Sequence, residues 1–518
     1  MDFNTDVNYL RNIKCADVYT ESQVDYVLPD YLGDVRKILF TEASLRPSGR
    51  FAGGEEVEFS GIVVYNVVYL DGEGELSSVE FTSDYDYSVK CSCDSYNDSI
   101  ADTRVSNYAI RLVGPRKISA KVSLVGSVRL TESCCVSASG DAFDGTSEPE
   151  INTGNAMIRR SRPSSVVERE YAEAVTRLDG AIVDEVSVVY SSAEATVDSV
   201  ESLDDAACIK GRLRLWAVIK NGDEPAYSVE KLLPFEEKID FENINGTTCL
   251  VPEASISSVK SNVNADENGC EVVISAIAEF CLISAENQSV DLVLDGYLID
   301  SATNNSYEEF NYSTLVEAMS VKSSHEGEIE RKDLECEGLR EIVFLTATPK
   351  VESVEQSDGV AVVNGEVRYS GVASEFVGEK SGYVGIKFSA PFNLNVNTGC
   401  QNDDNLDIEA SAHATNVSWS VDQEKLYVSC SLDCNLVVTK EKKMHVLSEM
   451  TRCEETSKDR GAKITVYYPT PGESLFEVSK RFRTSMTKVA KDNDITESVF
   501  SSDNPGGALV GVKKLIIY

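Results

Sequence analysis

One strand pattern recurs three times in this chain at nearly constant spacing, and that recurrence limits the fold more than any other feature. Phe59-Ser60-Gly61-Ile62-Val63-Val64-Tyr65, Ile209-Lys210-Gly211-Arg212-Leu213-Arg214-Leu215 and Val363-Asn364-Gly365-Glu366-Val367-Arg368-Tyr369 each read apolar, any, glycine, any, apolar, any, apolar or aromatic. Period-two alternation lines one face of a strand with apolar side chains. The other face carries Arg212 and Arg214, or Glu366 and Arg368, and is expected to be wet. The first copy is apolar on both faces, so a more buried strand is expected there. The glycines lie 150 and 154 residues apart. Turns follow each strand at Asp71-Gly72-Glu73-Gly74, Asn221-Gly222-Asp223-Glu224 and Gly378-Glu379-Lys380-Ser381-Gly382; Asp-Gly and Asn-Gly suit tight hairpins. An aromatic then comes 24, 24 and 27 residues after its glycine, as Tyr85, Phe235 and Phe392. Pro234 and Pro391 precede the latter two, which fits an edge strand or a bulge. A glycine inside a strand likewise marks a bulge or a close backbone approach.

Each copy closes with a further β-rich stretch, at Ala120 to Leu130, Val272 to Ile283 and Leu426 to Val438. The expected fold is therefore mainly β, with three β-sandwich-like repeat domains and a small C-terminal βααβ module. The expected division is repeat 1 at 1–137, a linker at 138–165, repeat 2 at 166–320, repeat 3 at 321–450, a second linker at 451–462 and the tail module at 463–518. The first linker is inferred from Ser, Gly, Asp and Glu between Ser137 and Ser165, and the second from the charged run Thr451 to Gly461. Helix in the body is expected only in short pieces such as Glu168 to Arg177.

Charge narrows the partners. The 518 residues carry 86 acids against 48 bases, a formal net charge of −38. Such a field repels phosphate backbones and anionic membranes, so nucleic acid is not an expected partner. From Lys463 onward there are eight Lys/Arg and six Asp/Glu, a net of +2, which leaves −40 on the rest. The tail is thus the one part of the chain suited to a different partner. No apolar run is long enough to cross a bilayer as a helix. The start, Met1-Asp2-Phe3-Asn4-Thr5-Asp6, has no basic, apolar secretion signal, and a cytoplasmic protein is expected. The 14 cysteines include Cys91 and Cys93, Cys134 and Cys135, and Cys430 and Cys434, none in a paired C-x-x-C pattern. With only His325, His413 and His445 beside them, neither a metal nor any other cofactor is expected, and the cysteines read as reduced core residues.

The tail spells strand, helix, helix, strand. Lys463 to Tyr468 alternates as a strand, and Thr470-Pro471-Gly472-Glu473 turns into a helix in which Leu475, Phe476, Val478 and Phe482 form an apolar stripe. Thr484-Ser485 caps a second helix with Met486, Val489 and Ala490 inward. After Asn493-Asp494-Ile495 and a loop containing Asn504-Pro505-Gly506-Gly507, the chain ends on a strand, Leu515-Ile516-Ile517-Tyr518.

Pro471-Gly472-Glu473-Ser474-Leu475-Phe476-Glu477-Val478-Ser479, with Ile464 to Tyr468, Phe482, Ser485 and Asn493-Asp494-Ile495, resembles the LysM module. The resemblance covers 463–518 and implies a shallow groove that commonly binds N-acetylglucosamine polymers such as peptidoglycan. Carried over by position, the ligand- or partner-binding residues would be Gly472, Glu473, Ser474 and Leu475 on one side and Asn493, Asp494 and Ile495 on the other, with Leu475 on the groove rim. Two departures alter one wall: Val510 precedes Gly511 where that family has proline, and the loop from Glu497 to Gly507 is long. Three such repeats (Phe59-x-Gly61, Ile209-x-Gly211, Val363-x-Gly365) before one LysM resemble the SipL-type spore-coat morphogenetic proteins, whose repeated unit is the SPOCS domain. That resemblance implies a scaffold in the mother-cell cytoplasm, at the forespore surface, whose LysM docks a SpoIVA-like coat ATPase.

An enzyme is the weakest class to argue. Pairs such as Asp403-Asp404 arise by chance among 86 acids, and His413 and His445 lack an H-E-x-x-H or Cys partner at a useful spacing. A non-enzymatic adaptor is the expectation, with a peptidoglycan-binding wall protein as the alternative.

Overall fold

The computed structural model describes residues 4–14, 17–53, 56–90, 96–140, 149–203, 205–240, 248–334, 338–377, 380–398, 406–422, 424–453, 464–495, 509 and 511–518. Cys91, Cys93, Asp403-Asp404, Gly378-Glu379, Val510, most of the second expected linker and the loop Glu497 to Gly507 lie outside them. The described residues are mainly β, 80% strand and 5% helical.

The first repeat runs β1 (Asn4–Lys14), β2 (Val18–Val27), β3 (Val35–Gly53), β4 (Glu56–Asp71), β5 (Leu76–Lys90), β6 (Tyr96–Gly114) and β7 (Lys117–Gly140). The second runs β8 (Glu150–Pro163), β9 (Val167–Asp179), β10 (Val186–Ser202), β11 (Ala206–Asn221), β12 (Tyr227–Asp240), β13 (Cys249–Asp266) and β14 (Gly269–Tyr297). The third is β15 (Thr303–Glu330), β16 (Leu339–Ser357), β17 (Val360–Val377), β18 (Lys380–Asn397), β19 (Leu406–Val421) and β20 (Lys425–Arg452). The tail is β21 (Thr465–Tyr467), α1 (Leu475–Phe482), α2 (Met486–Asp492) and β22 (Leu515–Ile517).

The recurring sequence pattern is the middle strand of a three-stranded sheet each time: β4 in β3-β4-β5, β11 in β10-β11-β12 and β17 in β16-β17-β18. The spaced aromatic sits directly across from its glycine, Tyr85 on Gly61, Phe235 on Gly211 and Phe392 on Gly365. The ring covers the place a side chain would take. A Cβ on Gly61 would lie 2.4 Å from the Tyr85 ring, and one on Gly211 would lie 2.5 Å from Phe235. On the other side the neighbouring strand bulges at the residue facing the glycine, between Pro47 and Gly49, Val197 and Ser199, and Val351 and Ser353. Pro234 and Pro391 lie on β12 and β18, the edge strands, where a missing N–H breaks no ladder.

Against these pack a four-stranded sheet built on β14 in repeat 2 and one seven-stranded sheet, built on β7 and β20, that repeats 1 and 3 share. One hydrophobic core fills each gap, around Tyr65 and Leu124, Leu215 and Phe280, and Tyr369 and Leu432. Three further clusters join the repeats, the smallest of them Ala138, Val293, Leu298, Leu447 and Met450. In one, Phe40, Tyr190 and Phe344 meet edge-on or stacked at 5.1 to 5.5 Å between ring centres. Each follows a bulge at the same place in β3, β10 or β16. In another, Tyr9, Ile158, Leu292, Phe310 and Val446 come together from the outer halves of the long strands. β7 and β20 also pair in parallel through Ser139 with Glu449 and Gly140 with Met450, so repeats 1 and 3 touch directly.

Three expectations change. Residues 150–163, expected to be linker, form β8, which pairs with the outer half of β14. Its small residues are there for packing: a Cβ on Gly154 would meet Leu294 at 2.5 Å, and Ala156 is fully buried. Glu168 to Arg177, expected to be helical, lies in β9 and pairs with β14 from Gly269 to Phe280. The boundary at 320 cuts through β15, all of which pairs with β20, so Thr303 opens the third repeat. Among the described residues no helix is long and apolar enough to cross a membrane.

Candidate docking surface of the tail module

Local chemistry builds the tail. Ser474 caps α1 by accepting from the Glu477 N–H, and the Glu477 carboxylate accepts from the Ser474 N–H at 2.7 Å, a reciprocal capping box. Gly472 adopts φ +89°, a left-handed turn that glycine adopts without strain, and a Cβ there would meet nothing within 4 Å. Leu475, Phe476 and Val478 from α1, Met486 and Val489 from α2, and Leu515 and Ile517 from β22 form one core.

Most of the positions carried over as a groove are committed inside this framework. Leu475 is fully buried rather than on a rim, because it faces β22 and α2. Glu473 is 6% exposed; both its oxygens accept from the Tyr467 hydroxyl at 2.9 Å, one from the Thr470 N–H at 3.0 Å, and Arg481 pairs with it at 2.9 Å. Burial pushes the Glu473 carboxyl up, but Thr470, Tyr467 and Arg481 together outweigh burial and hold it below the usual range. Asn493 acts as a surrogate strand: its amide donates to the carbonyls of Val489 and Ile516 at 2.9 and 2.8 Å and accepts from the Ile516 N–H at 2.6 Å. Ile495 donates to the Ala490 carbonyl and packs on the core. The two loops do meet, since the Leu509 N–H donates to the Glu473 carbonyl at 2.9 Å. Of the seven positions, Gly472 and Asp494 are exposed and Ser474 is buried in its cap.

The open apolar surface lies elsewhere on the module. β21 and β22 pair with Thr465 across from Ile517 and Val466 across from Ile516. Inward residues of this ribbon are Tyr467, Leu515 and Ile517. Outward, Val466 is 52% exposed, Ile464 58%, Tyr468 69% and Tyr518 58%. Lys513 and Lys514 are exposed beside them. The alternation of Ile464, Val466 and Tyr468 along the strand is the sequence signal of this outer face.

The opposite side of the module is fixed to the body at the end of β14. The Tyr297 hydroxyl donates to the Thr484 carbonyl at 2.8 Å, and its ring meets Phe476 edge-on at 5.3 Å. Asp295 pairs with Lys480 through one oxygen, while its other oxygen accepts from Asn305 and the Tyr307 hydroxyl of β15, each at 2.8 Å. One carboxylate thus ties repeat 2, repeat 3 and the tail. Nothing in the spacing of the sequence announced this joint. Among the described residues no group of three or more His, Cys, Asp or Glu is arranged to hold a metal. No family model, curated protein or solved structure matches the chain.

Proposed function

We propose that this chain is a non-enzymatic scaffold in spore-coat assembly, made of three β-sandwich-like SPOCS repeats and a LysM-type βααβ tail. In this reading the tail docks a SpoIVA-like coat ATPase at the forespore surface, in the mother-cell cytoplasm. The observation that carries it is the outward apolar face of Ile464, Val466, Tyr468 and Tyr518 on a module whose other side is fixed to a large body. Contiguous exposed apolar side chains with basic neighbours suit a protein partner better than a sugar chain. The groove residues of the resemblance are spent on caps, turns and core, which shifts recognition toward the strand face.

Binding of the full-length chain to a purified coat ATPase of that class, set beside co-sedimentation with purified peptidoglycan, tests the reading. The ATPase should bind and the wall should not. Val466→Asp should weaken ATPase binding at least about tenfold, the usual cost of truncating a central anchor, with an unchanged melt because Val466 faces solvent. Strong sedimentation with peptidoglycan, or full ATPase binding by Val466→Asp, would sink it.

A further inference from the structure

Between repeats 1 and 2 lies a polar cavity of about 360 Å³, walled by β3, β4, β5, β10 and β13. The corresponding place between repeats 2 and 3 holds only about 10 Å³. The two sites are built from equivalent residues, offset by the repeat length. Ser78 and Glu80 in the first answer to Ser228 and Glu230 in the second, and Tyr190 answers to Phe344. They differ at two positions of the middle strand and at the two residues facing these on the first strand, where repeat 1 has Ser44 and Glu42 and repeat 2 has Glu194 and Ser192. Where repeat 2 has Arg214 and Trp216, repeat 1 has Val64 and Asn66.

The filled copy shows what such a site accommodates. Arg214 lies over the Trp216 ring at 5.7 Å and pairs with Glu230 at 2.6 Å and Glu194 at 3.5 Å. A guanidinium between two carboxylates and against an aromatic face uses its charge, its planar donors and its flat surface together. Repeat 3 also has arginine at this position, Arg368, paired with Glu366. Repeat 1 alone places an uncharged residue there.

The open copy keeps Glu80 in the place of Glu230, and its second acid, Glu42, lies across from Asn66, where repeat 2 has Ser192 across from Trp216. Glu42 and Glu80 both line the cavity. The Tyr190 hydroxyl and the Asn66 amide both donate to Oε2 of Glu42, at 2.8 and 3.3 Å. Among the described residues neither glutamate forms an ion pair. Arg46 lines the cavity as well but pairs with neither. Burial, with the nearby Glu194 adding to it, pushes the Glu42 carboxyl above its usual range despite the Tyr190 and Asn66 bonds, as expected for an acid lacking a counter-charge. Ser44 and Glu80 are exposed at the mouth, so the cavity opens to solvent.

We propose that this cavity takes an arginine side chain from outside the protein, its guanidinium held between Glu42 and Glu80, which flank Asn66 on neighbouring strands, as two differently placed acids hold Arg214 one junction further on. The serine hydroxyls of β10 and β13 around the cavity can serve the remaining N–H donors. The net charge of −38 draws a cation toward the site before it docks.

Calorimetric titration of the full chain at physiological salt, with N-acetyl-L-argininamide, N-acetyl-L-lysinamide and free L-arginine as probes, tests this. One equivalent of the argininamide should bind saturably, and the lysine analogue at least about tenfold more weakly, because an ammonium lacks the planar fork. Glu42→Gln should weaken argininamide binding about tenfold or more, and Asn66→Trp, which imports the residue that fills the other junction, should abolish it. If free arginine binds as tightly as the blocked form, the free amino acid is the ligand. If only the blocked form binds, the side chain belongs to a partner protein. No saturable binding, equal affinity for the lysine analogue, or undiminished binding by Glu42→Gln overturns the proposal. Glu42→Gln is close to isosteric, so the test stands even if Asn66→Trp does not fold.

Discussion

Gly61, Gly211 and Gly365 occupy one position of the repeat, yet they are hemmed in by different atoms. An added Cβ would lie 2.1 Å from the Thr196 carbonyl oxygen at Gly211 and 2.2 Å from that of Lys350 at Gly365. At Gly61 the nearest atoms belong to the tip of the Tyr85 ring, a side-chain end that can give more than a strand carbonyl can. Gly211→Ala and Gly365→Ala should therefore each cost about 2–3 kcal/mol, and Gly61→Ala less. Denaturant titration reads the order, and equal costs at all three would assign the constraint to the ring. Glu473 makes a second residue-level forecast. Its carboxyl sits below the usual 4.5, so it adds stability above that pH and loses it as pH falls through the lower folded value. Acid titration of the melting of the tail should show this loss, and Glu473→Gln should flatten it. These two cases mark how far residues were legible. The glycines and their aromatics could be read from spacing alone, because backbone contact leaves a fixed residue type at a fixed interval. The roles of Glu473, Leu475 and Asn493 could not, since helical phase does not say whether a side chain serves a ligand or the loop beside it.

At the level of elements, two segments went against their composition. Val167 to Arg177 is rich in Glu, Ala and Arg, all helix formers, yet it lies along β14 as strand β9. Local preference is worth a few tenths of a kcal/mol per residue, and ladder bonds plus packing on a buried strand exceed it. β8 was hidden for the opposite reason, because its small residues look like a linker until Leu294 is set against Gly154. The strands β11, β14, β17 and β20 were legible, since each alternates against its own core, and β4 was legible as an apolar run, buried on both faces. The tail's attachment is an element-level feature with its own forecast. Tyr297→Phe should cost about 1 kcal/mol through the lost bond to Thr484. Tyr297→Ala also loses the Phe476 contact and should let the tail tumble apart from the body, seen as narrowed NMR lines from α1 and α2. Wild-type linewidths in that variant would mean that Asp295 and Lys480 hold the joint alone.

For the whole molecule, the meeting of Phe40, Tyr190 and Phe344 decides whether the repeats behave as three units or one. Phe344 is 1% exposed and touches rings from both other repeats. Phe344→Ala should cost about 3–5 kcal/mol, and combining it with Phe40→Ala should fall short of the sum because the rings share a cavity. A calorimetric scan should show one transition in the wild type and separated transitions in the double variant. Had the repeats been independent, either substitution would disturb one unit and leave the others at their own melting temperature.

The parallel contact of β7 with β20 also sets a timetable. Met450, wholly buried, meets Gly140, which left the ribosome 310 residues earlier. Until the third unit is made, the first two carry an unclosed seam, and hydrophobic strand ends there are open to pairing with a neighbouring nascent chain. Crowded polysomes would make that encounter frequent, so sparse ribosome loading or a chaperone bound at the seam would raise the yield of correctly closed molecules.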